Sequence, residues 1–403
     1  MHRIYDIGII GMGVAGTFAC LKLSQEHKNL KIIGFDIGRP PRKRRQQLVG
    51  FLGCLPNSDG KLYLNDVNEV AQLVGNKTAK AAHKWVNKVF SQVGNFETIK
   101  DHSPSLSLSK KINKIGYNIK LNNFIQTYPK DSHLLSKYFS ETVEQNDNIN
   151  FCFDAEVNSI RKQKNMFILT VEGQEIKCKK IIIAAGRSGW RWVRDVYSSF
   201  DIIDNNDTAH FGIRIEMSAE LLKDFNRSSC SLIKNNEINI GPLSWFGTVI
   251  PEDHVDVAIS SFRSNENRWA SDKVSFNLIG NRPYPNKGFE QTDRISKLIF
   301  ILSNDRIVKE RISYIMSGKS KISIIPEYDW IKNTLEELSS AIPDIINKAY
   351  YHVPTIIPMV PKINIGTNLS TEIDNMFVAG EAAGVSGLLS AACMGSIVSD
   401  AIA

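Results

Sequence analysis

Gly11, Gly13 and Gly16 stand in the run GMGVAG with the spacing G-x-G-x-x-G. In that spacing the first glycine permits a tight turn and the second lets the backbone approach a pyrophosphate. The third lets a helix pack closely on a strand. A helix opening at Val14 and Ala15 offers N–H groups and a partial positive charge to a bound anion. Asp36 follows 20 residues after Gly16 (36 − 16). A carboxylate at that offset accepts hydrogen bonds from ribose hydroxyls. The pattern predicts a bound dinucleotide, with Ile37 and Arg39 beside its adenosine. The alternative, a glycine-rich turn with no ligand, leaves Asp36 without a purpose.

A second reactive stretch is GFLGCLPNSDGK at 50–61. A redox disulfide of the C-x-x-x-x-C kind needs a thiol five residues from Cys54, but those positions hold Val49 and Asp59. The local spacing excludes it. A small buried thiol is the plainer reading of Cys54, with a distant partner such as Cys393 or a lone reactive thiol left open. Asp59-Gly60 is turn chemistry, and Lys61 beyond it is either solvated or a cation at the site. The six cysteines contain no C-x-x-C, which argues against a disulfide framework or a zinc site.

Two later segments decide which dinucleotide is expected. KKIIIAAGRSG at 179–189 resembles the A-T-G segment of flavoproteins with two dinucleotide-binding domains, Ala185 standing for the threonine. NMFVAGEAAG at 375–384 is similar to their C-terminal motif, in which an acid at the position of Glu381 binds the ribityl or pyrophosphate region. With the loop ending Ser58-Asp59-Gly60-Lys61-Leu62, the chain resembles the FAD-dependent dehydrogenases of the glutathione-reductase type nearly end to end. The match is weakest between 220 and 370. That resemblance implies FAD, held by Gly11, Gly13, Val14, Ala15, Gly16, Asp36, Ile37, Arg39, Ser58, Asp59, Gly60, Lys61, Val157, Ala185, Gly186, Arg187, Gly380, Glu381, Gly387 and Leu388. It also sets the 50–61 loop against the flavin, where Lys61 would stabilise reduced flavin or relay a proton. The substrate does not transfer with the resemblance.

The elements that must position these residues are readable from pattern. IYDIGIIG and LKIIGFD are buried strands, and Val14, Phe18 and Leu21 give the intervening helix an apolar face. Such a βαβ unit makes its strands parallel. Residues 66–114 read as polar helices ending in a Ser-rich surface loop, DHSPSLSLSK, and 131–145 as a helix. INFCFDAEVNSIRKQKNMFILTVEGQEIKCKKIIIAAG reads as a three-stranded meander ending in a buried parallel strand. From 205 to 370 alternating segments such as HFGIRIEM and HVDVAISSF give way to helices near 290–316 and 331–349. The expected fold is α/β: a Rossmann-like FAD-binding domain (1–65, 115–204 and 371–403) with a helical excursion at 66–114. An α+β substrate domain (205–370) is inserted into it.

The inserted domain carries Arg214, Trp245, Arg263 and Arg282, which could line a pocket, the arginines as clamps for a carboxylate or phosphate. Lys61, Arg214 and Trp245 are the catalytic candidates. After the A-A-G turn, Trp190 and Trp192 suit packing between domains, while Arg187, Arg191 and Arg194 could reach the cofactor's phosphates. No second G-x-G-x-x-G follows a strand, so NAD(P)H, if used, is a transient reductant.

Bulk properties exclude several classes. The 403 residues are 42% hydrophobic and 23% charged, ordinary for a globular chain. No apolar run approaches the ~20 residues of a membrane span. Asp6 and the spaced glycines separate the first segment from a signal peptide, which makes the cytoplasm the expected location. Much of the formal charge of +7 is concentrated in RPPRKRR at 39–45, and nucleic-acid binding normally needs a wider basic face than one run. The expectation is an oxidoreductase passing hydride between flavin N5 and a small organic substrate, an anionic one if the arginines clamp it. A flavoprotein acting on nucleic acid, a flavin monooxygenase and a non-catalytic FAD-binding module are the alternatives.

Overall fold

The computed structural model describes residues 4–40, 43, 48–94, 96–204, 208–254, 257–263, 270–283, 288–304, 307–357 and 360–402. Strands Ile149–Cys152, Ile32–Phe35, Ile4–Ile10, Gln174–Ile183 and Met376–Val378 lie side by side, every neighbouring pair parallel. The Ile-rich middle strands are buried on both faces, as a parallel sheet between layers requires. The strand Gln174–Ile183 has divided pairing. Residues 174–178 close an antiparallel meander with Met166–Val171 and, beyond it, Val157–Gln163. Residues 181–183 pair instead with Met376–Val378.

Helices Val14–Glu26 and Leu388–Ile402 cover one face of this sheet and meet each other closely. Ser399 Oγ donates to the Ala19 carbonyl, and the buried Lys22 ammonium donates to Ser396 and pairs with Asp400. Helices Asn76–Val93 and Pro129–Glu144 add Phe90 and Phe139 to the same core, both packed on Phe18. This first layer is the α/β, Rossmann-like arrangement the sequence predicts, with its three-stranded meander.

A second, antiparallel sheet runs in the order Val308–Arg311, Tyr350–Ile357, Thr208–Ser218, Lys273–Pro283, Ile238–Ile240, Ser231–Lys234, Asn118–Lys120. The alternation in HFGIRIEM assigns its faces. Phe211, Ile213, Ile215 and Met217 enter a second core with Ile295, Ile299, Ile331, Leu335 and Leu338 of the helices Gly288–Leu302 and Tyr328–Ser339. Gly212, Arg214 and Glu216 alternate with them and face the other way. The helix Trp190–Ser199 joins the layers: Trp190 is buried in the second core, and Val193, Val196 and Tyr197 are buried under the meander.

Two expectations change. Residues 106–120 belong with the second sheet, because Asn118–Lys120 pairs with Ser231–Lys234 and Leu108, Ile112 and Tyr117 fill its core. The Ser-rich DHSPSLSLSK is a loop only as far as Ser105, where the helix Leu106–Lys114 begins. Ser105 caps the helix Leu106–Lys114 by accepting from the Leu108 N–H. Asp101 is buried and accepts from Asn122 N–H, Ser228 Oγ and Ser229 N–H. Serine caps and buried serine networks look like a polar loop when only composition is read.

Candidate functional site

A cavity of about 850 Å³ lies between the two layers. Gly11, Asp36, Ala184–Gly189 and Ala379–Glu381 all line it, and each follows directly on a parallel strand. The cavity therefore sits outside the carboxyl ends of those strands, where open α/β sheets bind ligands. Its opposite wall comes from Lys61, Tyr63, Arg214, Ser244, Glu252 and Asn277.

Gly11, Gly13, Val14, Ala15, Asp36, Ile37, Ser58, Asp59, Lys61, Val157, Ala185, Gly186, Arg187, Arg214, Gly380, Glu381, Gly387 and Leu388 line this one cavity. Gly16, Arg39, Gly60 and Trp245 do not. Gly16 acts through packing: a Cβ there would lie 1.9 Å from the Gly11 carbonyl oxygen. Gly60, at φ +71°, would set its Cβ 1.9 Å from the Thr127 carbonyl oxygen. Arg39 is half-exposed, 3.8 Å from Asp154. Trp245, a catalytic candidate from the sequence, has its indole N–H bonded to the Ser228 carbonyl, and neither residue lines the cavity. The side chains of Arg263 and Arg282, and Arg42, Arg44 and Arg45 of the basic run, lie outside the described residues.

Gly13 and Gly186 differ from Gly16 in an instructive way. A Cβ on Gly13 meets nothing nearer than Gly53 Cα at 3.8 Å, and one on Gly186 meets nothing within 4 Å. Both line the cavity with negative φ, so the protein itself gives no steric reason for glycine. A ligand approaching the backbone does. The helix Val14–Glu26 has no acidic residue in its first turn and no side-chain cap, which leaves its N-terminal N–H groups for an anion.

Asp36 has a structural task as well: its carboxylate accepts from the Met12 and Gly38 N–H groups, each at 2.7 Å. It holds the glycine turn against the loop that follows the second strand. The turn therefore has a use for Asp36 with or without a ligand.

Lys61 is buried, and its ammonium donates to Ser229 Oγ at 2.8 Å and the Leu243 carbonyl at 2.9 Å, with Asp59 at 4.0 Å. Burial lowers its pKa while Asp59 and Asp101 pull the other way. Lys61 thus ties the Ser58–Lys61 turn to the second sheet.

Arg187 lies between two carboxylates, 3.2 Å from Glu381 and 3.7 Å from Glu252. The charge of Glu381 raises its pKa further above the usual arginine value, against burial. Arg214 donates to Ser275 Oγ at 3.1 Å, and burial draws its pKa down to about 10 against the pull of Glu252 and Asp59. Cys54 lines the same cavity, and the six cysteines form no disulfide.

Among the described residues, several buried atoms at the cavity have no hydrogen-bond partner, including Tyr63 Oη, Asp66 Oδ2, Asn277 Oδ1 and Glu381 Oε2. Orphaned polar atoms of this kind point to an absent partner. The sequence singles out Glu381 but not Tyr63, Asp66 or Asn277. Tyr63 follows the Lys61 turn by two residues, and Asn277 is the cross-strand partner of Arg214. Burial, then the charges of Asp59, Asp66 and Asp101, keeps the Tyr63 phenol protonated. Among the described residues no group of three or more His, Cys, Asp or Glu could hold a metal ion, and no helix is long and apolar enough to cross a membrane.

No family model and no curated protein matches this chain. Solved structures similar to it include glycine oxidase from Geobacillus kaustophilus, at 12% identity and TM-score 0.44, covering 100% of this chain and 95% of that one. A flavoprotein/dehydrogenase from Cytophaga hutchinsonii is similar at 14% identity and TM-score 0.46, covering 98% and 78%. Halogenase PltM in complex with phloroglucinol and FAD gives 14% and 0.45, covering 98% and 67%.

Proposed function

We propose that this chain is an FAD-dependent oxidoreductase acting on a small organic molecule. The observation that carries the reading is one cavity joining the glycine turn to the orphaned atoms of Tyr63, Asp66, Asn277 and Glu381 across two layers. The N–H groups at Val14 and Ala15 would hold the pyrophosphate, and Gly13 leaves room for it. Asp36 would accept from ribose, and Arg187 and the orphaned oxygen of Glu381 would meet the polar middle of the dinucleotide. FAD supplies two-electron hydride chemistry when bound.

The rest of the wall belongs to the substrate. Tyr63 offers a hydroxyl donor, Asn277 an amide, and Arg214 a fixed positive charge beside them. Residues 1–65, 121–204 and 371–403 would form the FAD-binding unit. The second sheet, with residues 106–120 added to 205–370, would form the substrate unit. NAD(P)H, if it serves as reductant, would enter this same cavity, since the chain has one dinucleotide fingerprint.

Purified protein tests the reading directly. Flavin absorbance and release of FAD on denaturation are expected, and Gly13→Glu should abolish both while the chain stays folded. A protein that takes up no FAD, or a Gly13→Glu variant that keeps its full complement, would overturn it.

A further inference from the structure

Asp66 stands apart from the other cavity residues. It opens the helix Asp66–Val74, and its carbonyl accepts from Ser390 Oγ of the helix Leu388–Ile402. Its carboxyl lies against Gly387, where an added Cβ would come 2.2 Å from Oδ2. That oxygen is buried and bonds to nothing among the described residues, and Asp66 lines the cavity together with Gly387 and Leu388. A carboxylate so placed has lost water without gaining a donor.

We propose that Asp66 is the proton-exchanging residue of the cofactor cavity, its carboxyl taking up a proton as FAD fills the space beside Gly387. The inference rests on the FAD reading above. Its physical basis is desolvation. Burial already raises the Asp66 pKa to about 7, with Glu69 adding to the shift and Lys120 opposing it. Filling the cavity removes the remaining water on the carboxyl's open side and moves the pKa the same way. The bound state then holds more protons than the free state. FAD affinity is therefore full below pH 7 and is lost as pH rises above it, about ten-fold per pH unit until the raised pKa is passed.

The groups around Asp66 are few. Glu69 shares its helix, and its pKa is raised by burial. Lys120 comes from the strand Asn118–Lys120. Tyr63 and Cys393 also feel the Asp66 charge, and burial first of all raises both, the Cys393 thiol to about 12. Both are neutral between pH 6 and 9, so Glu69 is the one competing titration among these neighbours.

The test is calorimetric titration of FAD into cofactor-free protein at pH 7 in two buffers of different ionisation enthalpy. Uptake of about half a proton per FAD is expected where a group of pKa near 7 is driven to its neutral form. A fluorescence-based affinity profile from pH 6 to 8.5 should fall across that range. Asp66→Asn should exchange no proton and give a flat profile, and Glu69→Gln should keep both the uptake and the slope. Binding without proton uptake in the unmodified protein overturns the inference alone, as does an Asp66→Asn variant that keeps the uptake. Absence of FAD binding at every pH overturns the functional reading as well, so the two failures are distinct.

Discussion

The guanidinium of Arg187 lies 3.2 Å from the carboxylate of Glu381, and the two follow neighbouring parallel strands. Arg187 also reaches Glu252 of the strand Thr248–His254 at 3.7 Å, so one side chain links the first sheet to the far wall of the cavity. Replacing Arg187 with Gln should leave Glu252, which is buried, without that counter-charge. A loss of about 1–3 kcal/mol is expected, below the full cost of breaking a buried pair because Arg187 is partly solvated. Thermal unfolding of the variant and of Glu252→Gln checks this, and the double variant should recover part of the loss.

The glycine turn separates two causes that sequence alone merges. Gly16→Ala forces a Cβ onto the Gly11 carbonyl and should destabilise the chain by about 1–3 kcal/mol or more. Gly13→Ala meets no protein atom closer than 3.8 Å and should leave the unfolding midpoint of the cofactor-free protein unchanged while weakening FAD binding. Denaturant melts and FAD titrations of both variants distinguish packing from ligand contact.

Tyr63→Phe removes a hydroxyl with no hydrogen-bond partner among the described residues. Stability should hold or rise by about 1 kcal/mol, as expected when an unsatisfied buried polar group is deleted. Substrate binding should weaken about ten-fold if the phenol donates to the substrate. An unchanged KM and kcat would remove Tyr63 from the site.

Glu216, which does not line the cavity, supplies a pH signature of its own. Burial raises its pKa, but hydrogen bonds from His352 and Lys309 outweigh that and hold it at about 2. Burial lowers the His352 pKa in turn, with Glu216 opposing that shift. Because the folded carboxyl has the lower pKa, the stabilisation is complete above the unfolded value near 4.5 and disappears as pH falls towards 2. About 2 kcal/mol of acid-sensitive stability is expected, the full shift being discounted because Lys309 is half-exposed. Glu216→Gln should flatten the pH dependence of urea unfolding between roughly 5 and 2.5.

The first layer was legible in the sequence because its cues are local. GMGVAG, Asp36 at its fixed offset, and the A-A-G and G-E-A-A-G turns each belong to one strand–turn–helix unit. Tyr63, Asp66 and Asn277 were not legible, since their meaning depends on contacts across long separations. Asn277 matters through its register opposite Arg214, and Asp66 through Gly387, 321 residues away (387 − 66). Lys61 was read for its charge, but its donors go to Ser229 and Leu243, which only the assembled second sheet brings near. The serines at 103–109 show the same limit, with Ser105 working as a helix cap.

The divided pairing of Gln174–Ile183 has a bearing on how the chain is made. Its upper half stays without its outer neighbour until Met376–Val378 is synthesised. Everything from Thr208 to Ile357 leaves the ribosome in between. Vectorial synthesis therefore lets the second sheet form while the first still exposes an open edge and an uncovered apolar face. The nascent chain would be most prone to aggregate in that interval, and the cavity closes only when the late-arriving strand and helix dock.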